Sequence, residues 1–347
     1  MADAKRARIG SKASPTPVAA PSSSVQTAPK KPWDVPAIPK KLIQSIKDGN
    51  CVVFVGAGFS APARLPSWTR LLEILVDELC GPDKANPKRV SLRKLLGFDE
   101  NDKWVGGGTS ETFDQCAQCI EDELGEVRVH EVIEQSLRLP QKLPDLMEQR
   151  RDLLVSIPFR AILTTNYDDI LPGIAAEMPQ AKLVMRNILR DAPNPFRTLL
   201  KTSEVGIDNA GCGSSSSALT PGRPQPPPYQ MGRKDPRNWG PILRLHGAVG
   251  SGGSRRGGPI LSRKGYRRLL RGNEAYQNFL SAVMAAKTIL YIGFSFTDYY
   301  INDLRRSVVD MLGEFKAEDD PVAYAIVNDM DDAKRTFFRY VTSSRCG

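Results

Sequence analysis

The chain has 347 residues, enough for one large domain or two ordinary ones, and its 41% apolar and 25% charged residues exclude fibrous and wholly disordered classes. The net charge of +9 is concentrated in the N-terminal segment, where Lys5, Arg6, Arg8, Lys12, Lys30, Lys31, Lys40 and Lys41 face only Asp3 and Asp34; nucleic acid is therefore expected as a partner only through this basic tail. No run reaches the roughly 18 apolar residues of a membrane helix and no apolar signal segment opens the chain, so a soluble, intracellular protein without a membrane partner is expected.

Residues 1–36 are rich in Ala, Ser, Pro and Lys and cannot bury enough surface to offset the entropy of ordering, which predicts a disordered tail. Ile38, Leu42, Ile43 and Ile46 recur at helical spacing until Asp48, Gly49 and Asn50 supply a stop. Cys51 to Val55 is then a short β-branched run of the kind that forms a buried strand. From Ser67, a predicted N-cap, Leu71, Leu72, Ile74, Leu75 and Leu79 mark an amphipathic helix ending at Gly81.

Residues 82–155 read as a helical insertion, with helices around Leu92–Leu96, over Glu111–Glu123 and Val127–Leu137, and one ending near Val155. The α/β alternation resumes with a strand from Arg160 to Thr165, followed by strands at Ile242–Leu245, Thr288–Ile292 and Ala323–Val327. Helices over Arg263–Leu270, Glu274–Ala286 and Tyr299–Leu312 lie between the later strands. A Gly-, Ser- and Pro-rich stretch over 204–240 predicts a flexible loop, Gly250 to Gly258 predicts a second, and 331–347 forms a C-terminal segment. The pattern over 37–330 predicts an α/β fold with a doubly wound, mostly parallel, Rossmann-like sheet.

Four motifs follow strands. Gly56-Ala57-Gly58-Phe59-Ser60 comes directly after Cys51–Val55: Gly56 allows a tight turn, Gly58 lets backbone approach a pyrophosphate, and free amides near a following helix would bind negative charge. A dehydrogenase would also place an acidic residue at the end of its second strand, but Glu73 and Asp77 fall inside the predicted helix. Thr164-Thr165-Asn166-Tyr167-Asp168 begins at the end of the next strand; Asn166 and Asp168 either meet a ligand or cap a helix starting near Asp169. Leu245-His246-Gly247 sets one of only two histidines at a strand end, suited to proton exchange near neutral pH, whereas His130 lies in a helical stretch and receives no catalytic role. In Ile292-Gly293-Phe294-Ser295-Phe296-Thr297-Asp298, Gly293 and Ser295 could frame the other side of a nucleotide, and Asp298 reads as the cap of the next helix.

Taken together and in this order, the motifs resemble the sirtuin-like superfamily, and within it the NAD-consuming SIR2-like domains more than the protein deacetylases. The resemblance implies a sirtuin-type fold with NAD as substrate. Gly56, Ala57, Gly58 and Ser60 would cradle the pyrophosphate, Asn166 would position the nicotinamide ribose and its water, and His246 would act as base. Asp168 would lie near the nicotinamide carboxamide and Ser295 near phosphate and ribose, with Thr165 and Gly293 also counted among the residues that bind the cofactor. No cysteine occurs between His246 and Ser295, where deacetylases carry four zinc ligands, so no zinc or other metal is expected; Cys116 and Cys119 fit core packing within one helix. Leu65-Pro66-Ser67-Trp68 stands where deacetylases have an Ile-Pro-Asp-Phe-Arg segment, which points to attack by water rather than by an acyl-lysine. Hydrolysis of NAD to nicotinamide and ADP-ribose is the expected activity, with a deacylase or a non-catalytic NAD or ADP-ribose sensor as alternatives, and self-association is left open.

Overall fold

The computed structural model describes residues 37–106, 108–176, 181–190, 240–249, 258–296, 298–313 and 323–326. The expectations for the tail over 1–36, for nearly all of the loop over 204–240, for most of Gly250–Gly258 and for 331–347 lie outside the described residues. The elements run α1 (Lys40–Lys47), β1 (Cys51–Val55), α2 (Trp68–Cys80), α3 (Pro87–Leu95), α4 (Ser110–Leu124), α5 (Glu126–Ser136), α6 (Asp145–Ser156), β2 (Ala161–Thr164), β3 (Ile174–Ala175) and α7 (Ala181–Ile188). They continue with β4 (Ile242–Arg244), α8 (Arg263–Arg271), α9 (Glu274–Ala286), β5 (Thr288–Ile292), α10 (Tyr299–Gly313) and β6 (Ala323–Ile326).

All strand pairings are parallel, and the six strands lie in the order β3-β4-β2-β1-β5-β6. The chain leaves β1 to build the sheet on one side through β2, β4 and β3, then crosses back to add β5 and β6 on the other. The carboxyl end of β1 is thus the topological switch point, the place where open α/β sheets form their ligand crevice. Because the strands are parallel, the four motifs that follow β1, β2, β4 and β5 line one edge of the sheet, on four adjacent strands.

Side-chain parity divides the core. Along β1, Val52 and Phe54 join Ala161, Leu163, Leu243, Ile289 and Tyr291 beneath α7, α8, α9 and α10. Cys51, Val53 and Val55 turn to the opposite face with Ile162, Ile242 and Leu290, where Leu42 of α1 and Met147 and Leu154 of α6 cover them. Every residue of β1 is buried, as expected for a strand covered on both faces. A separate cluster unites α2, α3, α4 and α5 through Leu72, Leu75, Leu96, Cys116, Ile120 and Ile133. Of the helices expected over 82–155, then, α3 to α5 join α2 in a helical lobe, whereas α6 belongs to the sheet layer because Met147 and Leu154 reach it.

Three local features depart from the pattern read along the chain. The glycine turn does not feed a helix directly: residues 57–59 and 61–63 form two short 3₁₀ turns, and α2 starts only at Trp68, with Ser67 Oγ accepting the Arg70 amide at 3.3 Å. No helix begins near Asp169; instead Asp168 Oδ1 accepts the Ile170 amide at 3.1 Å in a tight side-chain turn that leads to β3. Strand β3 and helix α7 were not foreseen. A two-residue edge strand carries no periodicity, and α7 is recognisable as core only because Ala181, Met185 and Ile188 meet the sheet.

Candidate functional site at the carboxyl ends of the strands

The turns after β1 and β5 are built against each other. Gly56 N–H donates to Ile292 O at 3.0 Å and Gly58 N–H to Gly293 O at 2.8 Å. A β-carbon on Gly56 would lie 2.6 Å from Gly293 O, and one on Gly58 would lie 2.9 Å from the same atom, so both positions require glycine for backbone-to-backbone approach. Phe59 and Ser60 amides donate to Gly56 O at 3.0 Å and Ala57 O at 3.1 Å. This corrects the expectation of free amides: those of Gly56, Gly58, Phe59 and Ser60 are spent on the turns themselves. Ala57, Gly58 and Ser295 remain on the exposed side of the paired turns, with Gly293 half-buried beside them.

The end of β2 is tied to the same place. Thr164 Oγ1 donates to Val55 O at 2.9 Å and accepts the Asn166 amide at 3.1 Å, which fixes Asn166 over the end of β1. Asn166 Nδ2 then donates to Gly56 O at 3.3 Å and to Ser60 Oγ at 3.0 Å. A carbonyl can only accept, so the Gly56 contact sets which way round the amide lies. Its other end, Oδ1, is buried without a hydrogen-bond partner among the described residues, in a side chain only 9% exposed. Leaving such an atom unpaired costs about 1–3 kcal/mol, which suits a group kept for a donor from outside the protein. Asp168 is buried alongside; burial raises its carboxyl above the usual range, against the pull of the Ser60 hydroxyl, the Ile170 amide and Arg244. Thr165 lies half-buried in the turn between.

Arg244, which ends β4, supports this loop from beneath. Its guanidinium is 2% exposed, donates to Asp168 O at 2.6 Å and to Tyr167 O, and pairs with the Asp169 carboxylate. A charge between Leu243 and Leu245 in a buried strand was a legible signal that the apolar reading of 242–245 passed over. Replacing Arg244 by methionine would strand two buried carbonyls, and we expect a loss of roughly 2–4 kcal/mol in urea unfolding. An unchanged midpoint would show that the loop holds itself.

His246 occupies a neighbouring cluster. It is 3% exposed, its Nδ1 lies 3.1 Å from the Tyr266 hydroxyl, and its Nε2 lies 3.4 Å from Asp298 Oδ2. Burial holds the imidazole below its usual pKa, while the Asp298 charge works in the other direction. The ring stands edge-on to Tyr266, which stacks on Tyr300 with centroids 4.4 Å apart. Among the described residues no hydrogen bond joins His246 to Asn166. The two are linked along the chain, since Tyr167 follows Asn166 and its phenol is electrostatically coupled to that of Tyr266. His130 is elsewhere, on α5, with Nε2 3.0 Å from Pro259 O.

Chain reading missed Tyr266, the role of Asp298 beside His246, and Asp114 on α4. Asp114 is pushed up to about 6 by burial first, then by the Asp298 and Glu111 charges, against Arg263. Nothing in a helical stretch of mixed polarity marks such a residue; only the docking of α4 beside the strand ends brings it near Asp298. The folded state holds the Asp114 proton between about pH 4 and 6, so stability falls as pH rises through that window. Asp114→Asn should therefore be the more stable protein at pH 7, on the order of 1 kcal/mol after solvent screening, with the difference vanishing below about pH 4. Urea midpoints at the two pH values test this, and equal midpoints at pH 7 would refute it.

Cys116 and Cys119 face different surroundings. Cys116 is buried in the helical lobe, its thiol pushed up to about 12 by burial, while Cys119 is exposed. Among the described residues no three His, Cys, Asp or Glu side chains group as a metal site, and no helix is long and apolar enough to cross a membrane.

A doubly wound parallel sheet with paired glycine turns at its switch point, and an Asn and a His on the neighbouring strand ends, defines a Rossmann-like α/β domain with one polar edge. The chain belongs to the SIR2-like domain family, whose family model matches residues 160–343, over half of its length. It is also similar to a protein of Enterococcus faecium named NAD(+) hydrolase ThsA, with 23% identity over 262 residues, 75% of this chain. That alignment covers 40% of the relative's own length.

Proposed function

We propose that this domain binds NAD across the switch point and hydrolyses it to nicotinamide and ADP-ribose. The observation that carries the reading is Asn166: its amide is held by Gly56 and Ser60, and its Oδ1 is buried and unpaired at a strand end. A ribose hydroxyl or a water is the complementary donor. The family match, the name of the relative and the glycine turns support the same ligand.

Nicotinamide in NAD is already a cationic leaving group, so catalysis here is positioning and electrostatics rather than acid assistance. The bond between the ribose carbon and the ring nitrogen breaks with its electron pair going to nicotinamide, the water oxygen bonds to that carbon, and one proton is released. In this proposal Asn166 Oδ1 orients the ribose and water, and His246, kept neutral by burial, receives the proton. Asp168 contributes polar contact near the leaving group. The exposed edge of Ala57, Gly58, Gly293 and Ser295 takes the pyrophosphate, with fewer free amides than a turn opening directly into a helix would offer.

Incubating the full chain with NAD, with nicotinamide and ADP-ribose quantified beside calorimetric binding, tests the reading. Equimolar formation of both products is expected. Saturable binding without nicotinamide would make the domain a sensor, and nicotinamide release only with an acylated peptide would make it a deacylase.

A further inference from the structure

We infer that Asp298 is a positioning residue for His246: its carboxylate holds the imidazole with the proton on Nε2, leaving Nδ1 as the basic nitrogen. The inference rests on the role proposed above for His246, and it deepens that role by naming which nitrogen acts and what selects it.

The geometry is specific. Asp298 sits in the turn after β5, yet its Oδ2 reaches His246, which follows β4 on the far side of β2 and β1. Its Oδ1 accepts the Ile301 amide at 3.0 Å, so the helix cap expected of Asp298 is formed by one oxygen while the other faces the imidazole. The capping bond anchors the carboxylate to the first turn of α10 and fixes the second oxygen in space.

At the other ring nitrogen stands Tyr266, whose hydroxyl can donate to Nδ1 or accept from it. In the second arrangement Nδ1 carries the proton and the Nε2 lone pair points at a carboxylate, which is repulsive. In the first, Nε2–H points at Asp298 and Tyr266 donates to Nδ1, so every contact is attractive. Tyr266 is suited to the donor role because burial holds its phenol well above the usual range; when Nδ1 takes a proton it takes the one on Tyr266 as the Tyr266 oxygen accepts the proton released by the water, so no phenolate is left behind. Tyr167, whose hydroxyl donates to Ile260 O at 2.5 Å, leaves its oxygen as a second acceptor beside Tyr266, so it is the Asp298 carboxylate and not Tyr266 alone that selects the tautomer. The charged and titratable groups around this pair are Asp114 on α4, Arg263 and Tyr266 on α8, Tyr300 on α10 and Tyr167 after β2. The arrangement is the one in which a carboxylate sets the tautomer of a general base without itself taking the proton.

Separating this role from capping is straightforward, because asparagine and serine both cap helices whereas alanine does not. The full chain labelled with nitrogen-15 in its two histidines, with one ring assigned by its absence in His246→Ala, reads tautomer and titration directly without NAD. In the wild type the His246 ring is expected to show Nε2–H with Nδ1 unprotonated. In Asp298→Asn and Asp298→Ser the tautomer should become mixed or inverted and the imidazole should titrate at lower pH. With NAD, these variants should lose about tenfold or more in kcat with KM changed far less, and the acid limb of the rate profile should move to lower pH. An unchanged tautomer and titration in both variants would overturn the inference. Should the wild type release no nicotinamide while its tautomer still depends on Asp298, the hydrolase reading fails and the Asp298–His246 pairing stands.

Discussion

Asn166→Ala and His246→Ala are each expected to lower nicotinamide release from NAD by about a hundredfold or more, with the folded content of the protein unchanged. The reasons differ. Truncating Asn166 removes the unpaired Oδ1 and also the donor to Gly56 O and Ser60, so the acceptor for ribose or water and the brace between the β1 and β2 ends go together. Truncating His246 removes the proton acceptor while leaving the main-chain bonds between the glycine turns and their Asn166 brace in place. NAD affinity should therefore fall with Asn166→Ala and stay within a few fold with His246→Ala, which calorimetry can separate from turnover. Equal turnover in the wild type and both variants would remove these residues from the chemistry.

Gly293→Ala should be among the most destabilising substitutions available to this chain. Its φ is +62°, a left-handed conformation that costs a side chain roughly 1–2 kcal/mol. A β-carbon there would lie 2.2 Å from Phe59 N and 2.7 Å from Gly58 C, and these are main-chain atoms that cannot rotate aside. The turns after β1 and β5 must part to admit it, which breaks the bond from Gly58 N–H to Gly293 O. We expect a loss on the order of 3–5 kcal/mol in urea unfolding, together with loss of NAD binding. Gly49→Ala is the control: its φ is +65°, but nothing lies within 4 Å of an added carbon, so only the conformational cost of roughly 1–2 kcal/mol applies. Equal losses in the two variants would mean that contact between the turns contributes nothing.

Much of the architecture could be read along the chain because it depends on local patterning. The apolar runs at 51–55 and 288–292 became the adjacent strands β1 and β5, and the heptad-like spacing of Leu71, Leu72, Leu75 and Leu79 became α2 between the expected Ser67 cap and Gly81. Gly58 is the glycine that the sequence marks for close backbone approach, with Gly56 marked for a tight turn and Gly293 for the far side of a nucleotide; all three close on backbone, and what approaches in the protein itself is the opposite turn. Residues that act through distant partners left no such trace. Arg244, Tyr266, Asp298 and Asp114 acquire their roles from atoms on other elements, and no spacing rule connects α4 or α8 to the end of β4.

The amino-acid sequence by itself determined the parallel α/β class, the positions of the strand-end motifs and the glycine requirement, because periodicity and main-chain sterics act over a few residues. Only the tertiary structure decided that Asn166 is braced by Gly56 and Ser60 with one oxygen unpaired, that His246 lies between Tyr266 and Asp298, and that the turn amides bond to one another. Hydrogen bonding, burial and charge coupling depend on which surfaces meet in space, and strand order β4-β2-β1-β5 brings together segments that a linear reading keeps apart.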